Sequence, residues 1–204
     1  GYVKRPTHRS RPYDRDRFEV CNHRYSALCD ENGGAALLND CKYGISLNGN
    51  AMELTLLRAS TAPDRRADRG THEFTYAFTA WNGSFYGCDV VKQGYELNVK
   101  PAVAEGGCRP FSLFSVDKDN IIPESVKLAE DGSGDVIVRL YESKKAWTET
   151  VFRMDLDAFG VNCLRAAQCD MAEQETEVLS ADEGQVALKF GPFEIKTLRL
   201  KIRR

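Results

Sequence analysis

The sequence predicts an all-β fold: an antiparallel β-sandwich region followed by a smaller Ig-like β-sandwich. Three observations carry this reading. Apolar residues recur at every second position in six separate segments, the period of a half-buried strand. Turns built on glycine, asparagine and proline separate those segments. Helical periodicity is scarce, and only residues 164–174 offer a helical turn or two.

In chain order, residues 36–44 (Ala-Leu-Leu-Asn-Asp-Cys-Lys-Tyr-Gly) run from an apolar strand-like start into a polar turn closed by Gly44. Met52, Leu54 and Leu56 then share a strand face, with Glu53 and Thr55 opposite. His72, Phe74, Tyr76 and Phe78 share the next, and His72 is expected on the inner side of that strand. Tyr95, Leu97 and Val99 alternate with polar neighbours and predict a further strand. Residues 111–116 begin another, ended by the polar turn 117–120. Val136, Val138 and Leu140 follow, then Phe152 and Met154, then Val186, Leu188 and Phe190. In the last strand Phe193 and Ile195 have one parity and Leu198, Leu200 and Ile202 the other. A bulge or bend is therefore expected near Lys196-Thr197. A boundary is expected near Pro110, after a Gly/Ala-rich stretch. It divides the chain into residues 1–110 and a compact sandwich over 111–204.

The bulk composition excludes several function classes. Net charge is −2, too near neutral to signal a nucleic-acid partner, and the basic stretch 4–24 is expected to be a solvated surface or a contact with an acidic face of another domain. No apolar run has membrane length. Seven cysteines occur at irregular spacing without a Cys-x-x-Cys pair, which argues against a structural zinc site and for free thiols in a reducing, cytoplasmic setting. His72-Glu73 lacks the second histidine of a zinc peptidase, because position 76 is Tyr76. Phosphate-binding glycine loops and a Gly-x-Ser-x-Gly nucleophile elbow are absent. Glycoside hydrolysis needs two facing carboxylates, and the sequence singles out no such pair. No catalytic or metal-ligating residue is therefore assigned. The 39–43 turn gathers an amide, a carboxylate, an ammonium and a phenol, groups able to hold a hydroxylated ligand.

Several segments in order resemble the C-terminal part of class II α-mannosidases, glycoside hydrolase family 38, in its cytosolic and bacterial branch. They are Arg5-Pro6-Thr7-His8, Arg17-Phe18-Glu19-Val20-Cys21 with His23, the 36–44 stretch, and Leu56-Leu57-Arg58 with Thr61-Ala62-Pro63-Asp64. Asp68-Arg69-Gly70 follows with His72-Glu73-Phe74-Thr75-Tyr76, and residues 193–200 (Phe-Glu-Ile-Lys-Thr-Leu-Arg-Leu) close the series. Residues 117–185 match by strand pattern alone. Ser10-Arg11-Pro12-Tyr13-Asp14 departs from the family's Asn-Thr-Ser-Trp-Asp type of run.

The resemblance implies that residues 1–110 form the C-terminal portion of a large β-sandwich, itself part of a supersandwich, and that 111–204 form the terminal β-sandwich domain. It implies a parent enzyme that hydrolyses terminal α-mannosyl linkages with retention. That parent's nucleophile and divalent metal (zinc or calcium) belong to an N-terminal catalytic domain expected to lie outside this sequence. The fragment itself is then expected to be inactive and to need no cofactor. Its partners would be that catalytic domain and mannose-containing glycans, with a homo-oligomer as a further expectation. By alignment with the Asp-Arg turn of Golgi and lysosomal relatives, Lys42 is the cationic position of a loop at the active-site rim, positioned by Asp40 and flanked by Tyr43. The alternative is a free-standing carbohydrate-binding or oligomerisation module. It would stack sugars on Trp81, Tyr86 or Trp147, although Trp147 is expected to cap a core.

Overall fold

A computed structural model describes residues 1–107, 110–155 and 162–203. The chain divides into two compact units, Lys4–Glu105 and Gly106–Arg204, the second joined by Gly1–Val3.

The Lys4–Glu105 unit holds two three-stranded antiparallel sheets. One is ordered β1 (Val20–Cys21), β4 (Gly44–Asn48), β5 (Ala51–Thr55), and the other β2 (Tyr25–Cys29), β3 (Gly33–Asn39), β6 (Tyr76–Asn82). A five-residue helix, α1 (Pro12–Asp16), precedes them, its start held by the Asp14 carboxylate accepting from Arg11 N at 2.8 Å. A second helix, α2 (Val90–Asn98), lies on one face of β2 and β3. Ala36, Leu38, Cys88 and Val90 are buried there, with Tyr25, Ala27, Ala77, Trp81, Phe85 and Leu97 packed around them.

Two expectations fail in this unit for a common reason, that period-2 spacing does not say which neighbour is available. Residues 95–100 do not form a strand. Val90, Val91 and Gly94 are the buried positions, a helical spacing, and Asn98 Nδ2 donates to both Gly94 O (2.8 Å) and Asn39 O (3.0 Å). The 72–78 strand begins only at Tyr76. Its inward residues are Ala77, Thr79 and Trp81, while Tyr76 and Phe78 are 56% and 67% exposed. His72 is accordingly exposed and not on an inner strand face.

The Gly106–Arg204 unit is a two-layer sandwich. A five-stranded antiparallel sheet is ordered β12 (Glu175–Leu179), β11 (Asn162–Cys169), β14 (Ile195–Arg203), β9 (Val136–Glu142), β8 (Ile121–Leu128). The facing sheet is β13 (Gln185–Phe190), β10 (Thr148–Met154), β7 (Phe114–Val116). Val138, Leu140, Leu198 and Leu200 of the larger sheet meet Phe152, Val186, Leu188 and Phe190 of the smaller, all nearly or wholly buried. Each such side chain contributes roughly 1.5–3 kcal/mol of transfer free energy. The helical turn expected within 164–174 is absent: residues 162–169 are β11, paired on both sides. The bulge expected near Lys196-Thr197 is absent too. β14 stays in register with β9 from Ile195 to Leu200, and the parity changes because Phe193 sits in the preceding turn and Ile195 faces outward, 58% exposed. The irregularity lies on the neighbouring strand, between Cys163 and Arg165.

Several buried and half-buried charges in this unit are held by ion pairs or hydrogen bonds. The Arg199 guanidinium donates to Asp131 Oδ2 (2.6 Å), Ser133 Oγ (3.0 Å) and Asp135 Oδ2 (2.7 Å), filling the acidic turn between β8 and β9. Glu173 accepts from Glu130 N and pairs with Lys127 at 2.6 Å. Glu142 is fully buried and accepts from Asn120 Nδ2 (2.9 Å), Lys144 N (2.7 Å) and Phe193 N (2.9 Å). Burial works to raise its pKa, but these donors outweigh it and hold the carboxyl below the ordinary glutamate range.

Candidate functional site

The 39–43 turn is pinned from within. Asn39, fully buried at the end of β3, donates from Nδ2 to Asn22 Oδ1 (2.9 Å) and accepts from Lys42 N at Oδ1 (3.0 Å). That side-chain bond to the backbone three residues on closes the turn locally. Asp40 accepts from Thr75 N through both carboxylate oxygens at 3.0 Å, and Asp40 N donates to Thr75 O at 3.2 Å. The Cys41 thiol and then the Thr75 amide hold the Asp40 carboxyl below its ordinary value, and the same contact raises the Cys41 thiol.

Lys42 and Tyr43 point elsewhere. The Lys42 ammonium lies 4.7 Å from the centre of the Phe74 ring, a cation–π contact. Tyr43, 47% exposed, stacks on His23 with ring centres 4.6 Å apart. Both line a shallow groove whose other walls include Glu19, Arg58, Asp68 and His72. Glu19 is ion-paired with Arg58 and accepts from Thr55 Oγ1 at 2.5 Å. Asp68 accepts from Ala59 N. His72 Nε2 lies 3.0 Å from the Asp68 carbonyl, so that nitrogen carries the proton.

Of the three residues expected at this site, the groove therefore gathers Lys42 and Tyr43. Asp40 is directed to Thr75 and acts on the turn. Arg58, Asp68 and His72 were not assigned a role in the groove from sequence. Their signal in the sequence was membership in the segments that carry the family resemblance, Leu56-Leu57-Arg58, Asp68-Arg69-Gly70 and His72-Glu73-Phe74-Thr75-Tyr76. The groove's two carboxylates are both engaged in internal bonds, and no facing acid and base are assembled. Among the described residues no group of three or more His, Cys, Asp or Glu side chains is arranged to hold a metal ion. No helix of the described residues is long and apolar enough to cross a membrane.

Of the three aromatic residues offered for sugar stacking, Trp81 is half-buried against Phe85, ring centres 6.2 Å apart. Tyr86 is 52% exposed. Trp147, expected to cap a core, is 84% exposed.

Two family profiles match the chain. Residues 1–66 match the glycosyl hydrolases family 38 C-terminal domain, and residues 120–198 match the family's C-terminal beta sandwich domain. Similar proteins include alpha-mannosidase 2C1 of Homo sapiens, 36% identical over 98% of this chain and 20% of the human protein. Alpha-mannosidase G of Dictyostelium discoideum is also 36% identical, over 98% of this chain and 19% of its own length. Alpha-mannosidase of Saccharomyces cerevisiae is 32% identical over the same shares, 98% and 20%. The chain thus spans about a fifth of these relatives. Among solved structures, an alpha-mannosidase from Enterococcus faecalis superposes with a TM-score of 0.68 at 16% identity, covering 90% of this chain and 21% of that one, which is a likeness of fold. On these two profile matches together, which span residues 1–66 and 120–198, the chain belongs to glycoside hydrolase family 38, as part of its C-terminal β region.

Proposed function

We propose that this chain supports the catalytic domain of an α-mannosidase and lends that domain's substrate cleft one rim loop, residues 39–43. Residues 1–110 would then be the end of the large β-sandwich domain and 111–204 the terminal sandwich. The parent would cleave terminal α-mannosyl linkages of glycans in the cytoplasm through a covalent intermediate, with its zinc or calcium held by residues outside this chain. A homo-oligomer is compatible with this reading.

The observation that carries it is the division of labour in the turn. Asn39 and Asp40 spend their polar groups on the backbone, while Lys42 and Tyr43 project into a groove of mixed polarity. A cation held over an aromatic ring beside a half-exposed phenol suits recognition of a hydroxylated ligand.

In the full-length parent, Lys42→Ala should lower kcat/KM for an α-mannoside by about tenfold through a raised KM, with the melting temperature unchanged. Unchanged kinetics in a folded variant would reject the rim role. Purified as it stands, the 204-residue chain should release no mannose from an aryl α-mannoside with or without added zinc. Metal-dependent release would overturn the non-catalytic reading.

A further inference from the structure

Two turns at one end of the Gly106–Arg204 unit hold an unusual surface. Trp147 stands at 84% exposure, although tryptophan is ordinarily among the most extensively covered side chains. A Cβ built on Gly191 would lie 3.6 Å from Cζ3 and Cη2 of the indole and 3.6 Å from Oε2 of Glu194. The indole edge and the carboxylate therefore flank one point on the turn between β13 and β14. Glu194, whose side chain is 40% exposed, accepts from Gly191 N at 2.7 Å and pairs with Lys196 Nζ at 2.9 Å. Lys196 is in turn held by Gln168 Oε1 at 2.9 Å.

The backbone beneath is strained and fixed. Lys145, in the turn that leads to Trp147, has φ +62, and Phe193, in the facing turn, has φ +59. Non-glycine residues pay for that conformation and keep it only where surroundings determine it fully. Here the determinant is one group. Buried Glu142 accepts from Lys144 N on one side and from Phe193 N on the other, so a single carboxylate ties both turns together. A flat aromatic ring, an adjoining carboxylate with a tethered ammonium, and a preorganised backbone are the components of a site that stacks a pyranose ring and bonds its hydroxyls.

We propose that Trp147 is the platform of a second sugar-binding site, which takes the apolar face of a pyranose in a mannosyl glycan while Glu194 accepts from its hydroxyl groups. The choice of mannosyl ligand rests on the function proposed above; the platform itself does not. A protein partner would call for continuous apolar area, whereas this ring lies beside the charged Glu194.

The test is titration of the 204-residue chain with methyl α-mannoside and with an α-linked mannose oligosaccharide, followed by tryptophan fluorescence and calorimetry. Saturable binding at millimolar concentration is expected. Trp147→Ala should weaken it at least tenfold with an unchanged melting curve, and Trp147→Phe should restore part of it. Absence of saturation up to about 50 mM would overturn the proposal. So would equal binding by Trp147→Ala, an outcome that moves binding away from this ring and leaves the rim function to its own kinetic test. Self-association abolished by Trp147→Ala would make the ring a protein contact and overturn it as well.

Discussion

Gly34 shows how much one hydrogen atom in place of a methyl group can decide. A Cβ there would lie 2.4 Å from Trp81 Cζ2 and 2.5 Å from Cys29 Cβ, so the indole lies across the strand only because position 34 has no side chain. Gly34→Ala should cost about 1–3 kcal/mol and lower the melting temperature by several degrees, read by thermal unfolding; a melting curve unchanged by the substitution would show that the indole has room to shift. At this scale the sequence was partly legible. The 39–43 turn could be found because its chemistry is local: an amide, a carboxylate and an ammonium within four positions. The task of Asp40 could not, because its partner Thr75 is 35 positions away. Glu142 was invisible for the same reason, since one of its donors, Phe193, is 51 positions distant.

The strand β6 illustrates the element scale. Alternation correctly announced a strand near 72–78 but not its start or its inward side, since aromatic and small residues alternate and either set could face a neighbour. Helix α2 settles the matter by covering the small-residue side, leaving Tyr76 and Phe78 on the outer face of the β2–β3–β6 sheet. Exposed aromatic residues on a sheet face favour association. Phe78→Lys in the isolated chain should reduce binding of a hydrophobic dye and lower the scattering-derived mass at high concentration, with little change in melting temperature. A large loss of stability would instead show that Phe78 packs within its own unit. The strands of the second sandwich were easier to read where both parities were distinct, as in β9, β10 and β13, and harder where a strand carries mixed residues, as in β8, β11 and β12.

Across the whole molecule the carboxylates set the response to acid. Asp117, Asp131, Glu142, Glu149, Glu173 and Glu194 all have folded pKa values below their ordinary ones of 3.8 and 4.5. A lowered folded pKa adds stability that is fully present above the unfolded value and is lost as pH falls through the folded value. The melting temperature should thus be level from about pH 5 to 8 and decline steadily below about pH 4. Added salt should blunt the part due to exposed Glu149 and Asp117 and spare the part due to buried Glu142. A curve flat to about pH 3 would contradict this assignment. The overall class was legible because two-residue periodicity and turn chemistry both act locally. The distribution of strands into sheets was not, because it depends on pairings such as β14 between β9 and β11, far apart in sequence. Arg199 carries a last consequence. Alternating Asp131, Ser133 and Asp135 form the kind of oxygen-rich turn that elsewhere waits for a dissolved ion. Here the positive charge is stitched into the polypeptide. The turn is complete at the moment of folding, whatever the surrounding medium supplies, and chelators have nothing to take from it.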